Sequence, residues 1–261
     1  MILLRIPGFF LTIVRAILLS LGILFFLLPY LLLSSFLFKH TPARAFKLRR
    51  AYINYALFIF GIQIEKSGEV YDKPALFVCN HRTLSDPIPV LKYLDAYVIA
   101  KAEVANYPVI NKGAEVTGII YVKRDSKDSR RATRQAMIDT VKNGYNVLVF
   151  PEGTTNGHKR TMPYRPGTFF EAANNNIPVV PIALEYRSKW DLWADQTSLF
   201  HQFFKQFWKP LTYTKLKFGE PILSDDAEYI RKTAEDWTNL ELEKMQDGWV
   251  KGDFYEPVEK A

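Results

Sequence analysis

Apolar residues form one long uninterrupted run near the start of the chain. No charged residue occurs from Ala16 to Phe38, where leucine and phenylalanine predominate. A helix over that run would be roughly 35 Å long, enough to cross a bilayer core of about 30 Å. Pro29 lies inside the run and can kink or break a helix. The pattern therefore predicts either one kinked membrane span or two short helices that dip into one leaflet.

Downstream, short apolar runs alternate with helical patterns, as is typical of strands covered on both faces of a sheet. They predict strands at 75–79, 97–101, 118–123, 146–150, 179–185 and within 215–222, and helices at 43–63, 86–94, 128–143, 166–175 and 225–247. We therefore expect an α/β fold, with a mixed, largely parallel sheet covered by helices and preceded by N-terminal membrane-associated helices. A polar stretch after residue 64 divides the chain into a membrane-binding helical segment, 1–64, and a second domain with a C-terminal helix, 65–261.

The net charge of +7 is concentrated beside the apolar run. The first acidic residue is Glu65, and it is preceded by Arg5, Arg15, Lys39, Arg44, Lys47, Arg49 and Arg50. A nucleic-acid-binding protein would spread such residues over a folded face, whereas positive charge next to an apolar segment suits an anionic membrane surface. We expect membrane lipids as partners, no nucleic acid, and a basic cluster that faces the cytoplasm.

A separate aromatic stripe occupies residues 200–208. Phe200, Phe203, Phe204, Phe207 and Trp208 are spaced so that they share one face of a helix. Such a face is suited to a membrane interface, but it would equally suit a helix packed on the sheet. Both interpretations stay open from the sequence.

Two titratable side chains follow the strand predicted at 75–79. On a continuous helix, His81 and Asp86 would lie about 140° apart, but across a strand-to-helix loop they can meet. Asp86 precedes Pro87 and so could cap a helix. It could also accept a hydrogen bond from one ring nitrogen of His81, leaving the other nitrogen to take a proton from a bound hydroxyl. The two interpretations do not exclude each other.

Other familiar catalytic arrangements find no support in the sequence. There is no G-x-S-x-G segment, and so no sign of a serine-hydrolase nucleophile. The four histidines, His40, His81, His158 and His201, form no familiar zinc spacing, and we expect no metal. Cys79 is the single cysteine, which excludes an internal disulfide.

Polar residues also follow two further predicted strands. Glu152 and Gly153, in the segment FPEGT, follow the strand 146–150, and Lys123 and Arg124 end the strand 118–123. Ligands of open α/β sheets bind outside the carboxyl ends of the strands, and cations at that edge could hold a phosphate. We therefore expect these residues and His81 to line one site.

Four of these segments together resemble the motifs of the glycerolipid acyltransferase family. They are NHRTLSD, GIIYVKRD, FPEGT and VVPIAL, in this order, and AKAEV (100–104) and FGEPI (218–222) also match. The resemblance covers about residues 70 to 222. It implies transfer of an acyl group from a thioester, either acyl-CoA or acyl-carrier protein, to the hydroxyl of 1-acylglycerol-3-phosphate, with the thioester as co-substrate and no further cofactor.

The resemblance also implies a role for each matching residue. His81 would be the general base and Asp86 its orienting partner. The head group of the lysophospholipid acceptor would be held by Lys123, Arg124, Glu152, Gly153 and Thr154. The enzyme would be membrane-bound, with its active site at the cytoplasmic face.

One position departs from the family pattern. In many members an arginine follows FPEGT, whereas this chain has Thr155. Lys159, Arg160 and Arg165 are the nearby cations that could replace it. The departure leaves another lysophospholipid, or a lyso-aminolipid, open as the acceptor. A non-catalytic lipid-binding membrane protein is the alternative from another class.

Overall fold

The computed structural model describes residues 2–37, 39–101, 118–122, 127–193, 197–247 and 249. The helices are α1 (Ile2–Phe36), α2 (Pro42–Phe60), α3 (Pro87–Leu91), α4 (Lys127–Lys142), α5 (Gly167–Asn174), α6 (Leu199–Phe207) and α7 (Ala227–Asp247). The strands are β1 (Ile62–Ser67), β2 (Leu76–Cys79), β3 (Ala96–Lys101), β4 (Ile119–Val122), β5 (Asn146–Val149), β6 (Val179–Tyr186) and β7 (Thr212–Phe218).

The long apolar run forms a single helix, α1, which continues through Pro29. Its part from Gly8 to Leu33 is long and apolar enough to cross a membrane by length and composition, and few of its side chains are buried. Helix α2 runs antiparallel to α1. The hydroxyls of Tyr52 and Tyr55 connect the two helices by donating to the carbonyls of Leu19 and Leu18. Because α1 is continuous from Ile2 to Phe36, the apolar run is not split into two short helices at Pro29.

The seven strands form one sheet in the order β1-β7-β6-β2-β5-β3-β4. Neighbouring strands run parallel except β6 and β7, which are antiparallel. The predicted mixed, largely parallel sheet is confirmed. Strand β1 was not predicted, and it lies across the boundary between residues 1–64 and 65–261. That division of the chain stays a prediction.

Helices cover both faces of the sheet, as the apolar strands require. In β2, Phe77 and Cys79 face a core shared with α2 and α3, whereas Leu76 and Val78 face α4, α5 and α7. All four side chains of β2 are fully buried. The strand that delivers His81 is therefore the centre of the sheet and has little freedom to move.

The aromatic stripe of α6 packs mainly on α1 and α2. Phe207 stacks on Phe60 with ring centroids 3.9 Å apart, and Phe204 stacks on Phe9 at 5.3 Å. Phe200 remains 73% exposed. Packing between helices thus accounts for most of the stripe, and one phenylalanine continues the exposed apolar surface of α1.

Arg15 fastens α1 to the rest of the protein. Its buried guanidinium donates to the carbonyls of Phe207, Lys209 and Pro210, at 2.7–2.8 Å. These carbonyls lie at the end of α6 and before β7, where the helix leaves backbone acceptors unused. The contact fixes the position of α1 relative to the sheet.

We predict that Arg15→Gln lowers the free energy of unfolding by about 2–4 kcal/mol, because charge-assisted hydrogen bonds to buried carbonyls are lost. Unfolding in detergent micelles, followed by circular dichroism, measures the change. Arg50→Gln is the matched control, since Arg50 pairs with Asp95 at 2.8 Å on the surface and should contribute less than about 1 kcal/mol. Equal effects of the two substitutions would contradict this account of Arg15.

Candidate active site

The site lies where β2 and β5, neighbours in the sheet, reach their carboxyl ends. Asn80 closes the ladder there: its side-chain amide donates to the carbonyl of Leu184 and its oxygen accepts from the amide of Leu184, at 2.9 and 2.8 Å. These two bonds hold the end of β2 against β6. The chain can then leave the sheet at His81.

His81 and Asp86 meet across the loop that follows β2. Nδ1 of His81 lies 2.7 Å from Oδ2 of Asp86. The same oxygen accepts from the backbone amides of Arg82 and Thr83 at 2.6 and 3.0 Å. Asp86 is fully buried and makes no side-chain capping bond to α3. Its carboxylate therefore holds the histidine and the loop, and the helix-cap interpretation is wrong for the side chain.

The imidazole of His81 has one side open to solvent. Its ring stacks on Phe150 with centroids 4.3 Å apart, and its side chain is 17% exposed. The second ring nitrogen, Nε2, makes no hydrogen bond to any residue that the structure describes. A bound hydroxyl could therefore reach Nε2 while Asp86 holds Nδ1.

Glu152 is buried, although the family resemblance implied that it would hold the acceptor head group. Its Oε1 accepts from the backbone amide of His81 at 2.7 Å. Its Oε2 accepts from the backbone amide of Met162 at 2.8 Å and from the side-chain amide of Asn156. Both oxygens are thus occupied by donors from three parts of the chain. The carboxylate positions the backbone of His81.

The other residues predicted for the site are distributed as follows. Gly153 has a φ of 73°, in the left-handed region, and Thr154 is exposed beside it. Lys123 and Arg124 lie outside the described residues. They follow β4, which is at the edge of the sheet two strands beyond β5. Among the described residues, no group of three His, Cys, Asp or Glu side chains could hold a metal ion.

Comparison with known proteins agrees with these motifs. A family model named Acyltransferase matches residues 61–185, which include the His81–Asp86 loop and Glu152. Residues 61–185 therefore form a domain of the acyltransferase family. The resemblance inferred from the sequence motifs is thereby confirmed.

Two relatives each align with 148 residues, which is 56% of this chain. One is the lyso-ornithine lipid O-acyltransferase of Pseudomonas aeruginosa, at 32% identity over 56% of that protein. The other is a chloroplastic 1-acyl-sn-glycerol-3-phosphate acyltransferase of Brassica napus, at 31% identity over 42% of that protein. This chain thus spans about half the length of the relatives it matches.

A solved structure shares the fold. The crystal structure of the 1-acyl-sn-glycerophosphate acyltransferase of Thermotoga maritima superposes with a TM-score of 0.74 at 21% identity. The superposition covers 95% of this chain and 100% of that one. The acyltransferase fold therefore extends over nearly the whole chain.

The acyltransferase domain also contains a buried cation that sequence reasoning missed. The guanidinium of Arg82 donates to Oε2 of Glu185 at 2.7 Å, to Oδ1 of Asn156 at 3.0 Å and to the carbonyl of His158. Arg82 and Glu185 are both fully buried. One signal was available: Glu185 ends an apolar strand predicted to be covered on both faces, and a buried carboxylate requires a cation or other donors.

The electrostatics of the site follow from this burial. Burial raises the pKa of Glu152 to about 7, although the amides of His81 and Met162 and the charge of Arg82 oppose the rise. Burial also raises the pKa of Glu185, against the effect of Arg82. Both carboxylates are therefore buried at a desolvation cost. Glu152 contacts the backbone of His81, and Glu185 is connected to Glu152 through Arg82 and Asn156.

We predict that the free energy of unfolding falls between about pH 5 and pH 8. The folded pKa of Glu152, about 7, exceeds its ordinary value of 4.5, so the folded protein binds the proton more tightly. The resulting stability is complete below the unfolded pKa and is lost as pH rises through the folded pKa, by up to about 3 kcal/mol. Asp191, whose pKa burial raises to about 6, acts in the same direction.

The measurement is urea unfolding at several pH values for the parent and for Glu152→Gln. The stability difference between the two proteins should depend on pH, because the variant lacks the titrating group. A difference that stays constant from pH 5 to pH 8 would contradict the assignment to Glu152.

Proposed function

We propose that the protein is a membrane-bound O-acyltransferase. It moves a fatty acyl group from acyl-CoA or acyl-carrier protein to the free hydroxyl of 1-acylglycerol-3-phosphate, giving phosphatidic acid. The observation that carries the proposal is the contact of His81 Nδ1 with the buried Asp86, with Nε2 left open at the carboxyl edge of the sheet. Membership of the acyltransferase family supports the same reaction class.

The reaction begins with removal of a proton from the acceptor. Nε2 of His81 takes the hydroxyl proton while the oxygen attacks the carbonyl carbon of the thioester. The tetrahedral intermediate then collapses, the carbon–sulfur bond breaks and the thiolate leaves. The imidazolium returns its proton to the thiolate. Since thiolate is a good leaving group, one base serves both halves of the reaction.

Asp86 makes His81 suitable for this role. Its Oδ2 accepts a hydrogen bond from Nδ1–H, which fixes the tautomer that leaves Nε2 as the acceptor of the hydroxyl proton. Its negative charge also stabilises the imidazolium when it forms. The two backbone amides that donate to the same oxygen keep the carboxylate in place as the charge changes.

The acceptor is the less constrained part of the proposal. We assign Lys123, Arg124, Gly153 and Thr154 to its head group, and Glu152 to the positioning of His81. A lyso-ornithine lipid, an example of a lyso-aminolipid, is the second candidate. It is favoured by the relative from Pseudomonas aeruginosa and by Thr155, which follows Thr154 where many family members have arginine.

The membrane location is supported by the position of the site next to α6. Gln206 of α6 donates to the hydroxyl of Ser85 at 2.7 Å and accepts from that of Thr83 at 3.3 Å. Helix α6 in turn packs on α1, whose exposed side chains are apolar. A lysolipid in the bilayer would thus lie close to the His81 loop. The basic residues from Lys39 to Arg50 support the cytoplasmic face as the location of this site.

We predict that His81→Ala lowers the rate of acyl transfer by about 10²–10⁴-fold, the usual contribution of a general base. Asp86→Asn should lower it by about tenfold or more, because the imidazolium loses its counter-charge. Thiol release from acyl-CoA in the presence of lysolipid measures the rate. The control is His201→Ala, since His201 is exposed on α6. An undiminished rate in His81→Ala would overturn the assignment of the base.

A matrix of acceptors and donors tests the substrates. Purified protein is assayed with 1-acylglycerol-3-phosphate and lyso-ornithine lipid, each with acyl-CoA and with acyl-carrier protein. We expect thiol release and acylated product only when an acceptor is present. Thiol release without an acceptor would identify a thioesterase, and the absence of both signals would favour the non-catalytic lipid-binding alternative.

A further inference from the structure

The guanidinium of Arg165 lies directly over the turn that follows β5. The backbone amide of Arg165 donates to the carbonyl of Pro151 at 3.0 Å, and that of Met162 donates to Glu152 at 2.8 Å. Residues 162–165 are therefore held alongside the turn 150–153 by one bond from each of their ends. The main chain of Arg165 is fixed, and its side chain crosses the turn.

The guanidinium of Arg165 comes so close to Gly153 that no side chain would fit there. A Cβ atom at position 153 would lie 2.6 Å from Cζ of Arg165 and 2.8 Å from Nε. The φ of 73° independently favours glycine there. The residue thus provides both the backbone conformation of the turn and the space that the guanidinium occupies.

The charge of Arg165 has no acidic partner among the described residues. The nearest carboxylate along the turn, Glu152, already accepts from His81, Met162 and Asn156. Arg165 itself is exposed. An exposed guanidinium with no carboxylate partner among the described residues therefore lies against the turn whose Phe150 contacts His81.

Neighbouring arginines are committed elsewhere. Arg160 pairs with Glu243 of α7 at 3.6 Å, Arg82 with Glu185, and Arg134 with Glu171 at 2.9 Å. Among the three cations considered from the sequence as replacements after Thr154, Arg165 has its charged group against Gly153 of the FPEGT turn. The two arginines thus differ: Arg160 pairs with a carboxylate of α7, whereas Arg165 lies against the turn.

The turn also connects Arg165 with the proposed base. Phe150 stacks on the imidazole of His81, and its carbonyl accepts from the amide of Gly153 at 3.1 Å. The ring that supports His81 and the glycine that lies under Arg165 therefore belong to one hydrogen-bonded turn. In 1-acylglycerol-3-phosphate the reacting hydroxyl and the phosphate are on adjacent carbons, so a base and a cation that contact the same turn match the two groups.

We propose that Arg165 forms an anion-binding subsite for the head group of the lysolipid acceptor, contacting its phosphate monoester or its carboxylate. The proposal rests on the acyltransferase function proposed above. The planar guanidinium offers two parallel donors, which suit the paired oxygens of either anion. Arg165 would thus select acceptors with a negative charge near the reacting hydroxyl.

Steady-state kinetics of Arg165→Gln and Arg165→Lys test the subsite. For an anionic acceptor we expect Arg165→Gln to raise KM about tenfold or more, with kcat and the KM of acyl-CoA changed less than about threefold. Arg165→Lys should restore part of the affinity. Arg160→Gln is the matched control and should leave KM unchanged. Assays with 1-acylglycerol-3-phosphate and lyso-ornithine lipid distinguish the phosphate from the carboxylate, and 1-acylglycerol provides an acceptor without either.

A binding measurement separates the subsite from the reaction. Equilibrium dialysis of the parent and the variants with glycerol 3-phosphate, and with glycerol as the uncharged comparison, requires no turnover. Binding of glycerol 3-phosphate that weakens about tenfold in Arg165→Gln but not in Arg160→Gln would support the subsite even if no acyl transfer occurred. Unchanged binding and an unchanged KM in Arg165→Gln would overturn the subsite. Weaker binding and a raised KM in Arg160→Gln, without these effects in Arg165→Gln, would also overturn it.

Discussion

The buried ion pair between Arg82 and Glu185 is the contact on which the geometry of the site depends. Neither side chain reaches solvent, so their desolvation must be offset by charge pairing and further hydrogen bonds. The additional donors and acceptors come from Asn156, His158 and the C-terminal helix, where Gln246 donates to Glu185 at 2.9 Å. The pair therefore draws three distant segments together behind the loop that carries His81.

This network of hydrogen bonds also positions the backbone of His81, through Glu152. The side chain of Asn156 accepts a hydrogen bond from Arg82 and donates one to Glu152. Glu152 in turn accepts a hydrogen bond from the backbone amide of His81. Asp86 holds the imidazole of the same residue from the other side. The backbone and the ring of the proposed base are thus positioned by two different carboxylates. Asp86 has the chemical role, and Glu152 the structural one.

The sequence predicted those features that depend on local pattern. Uninterrupted apolar runs indicated strands buried on both faces, and the parallel core of the sheet follows from them. Strand β1 has buried and solvent-facing positions in alternation and lies at the sheet edge, so its polar residues resembled a boundary. Pro29 suggested a break, yet it removes only one backbone donor, and α1 continues on both sides of it.

In the site, too, contacts between residues close in sequence could be predicted, and contacts between distant residues could not. His81 and Asp86 are five residues apart, and a strand-to-helix loop was enough to predict their contact. The roles of Arg82 and Glu152 depend on partners far along the chain, because Glu185 is 103 residues from Arg82 and His81 is 71 from Glu152. No spacing within a motif reveals such partners. FPEGT identified Glu152 as a site residue but gave no indication that its carboxylate turns inward.

The loop between His81 and Asp86 is held by α6 as well as by the core of the sheet. Gln206 of α6 bonds to Thr83 and Ser85, while Arg15 of α1 bonds to the carbonyls at the end of the same helix. Helix α6 therefore connects the apolar helix with the loop of the proposed base through direct hydrogen bonds. An enzyme that takes its acceptor from a bilayer must hold its base at a defined depth relative to the lipid. In the proposed reaction, the packing of α1, α6 and the His81 loop into one unit would meet that requirement.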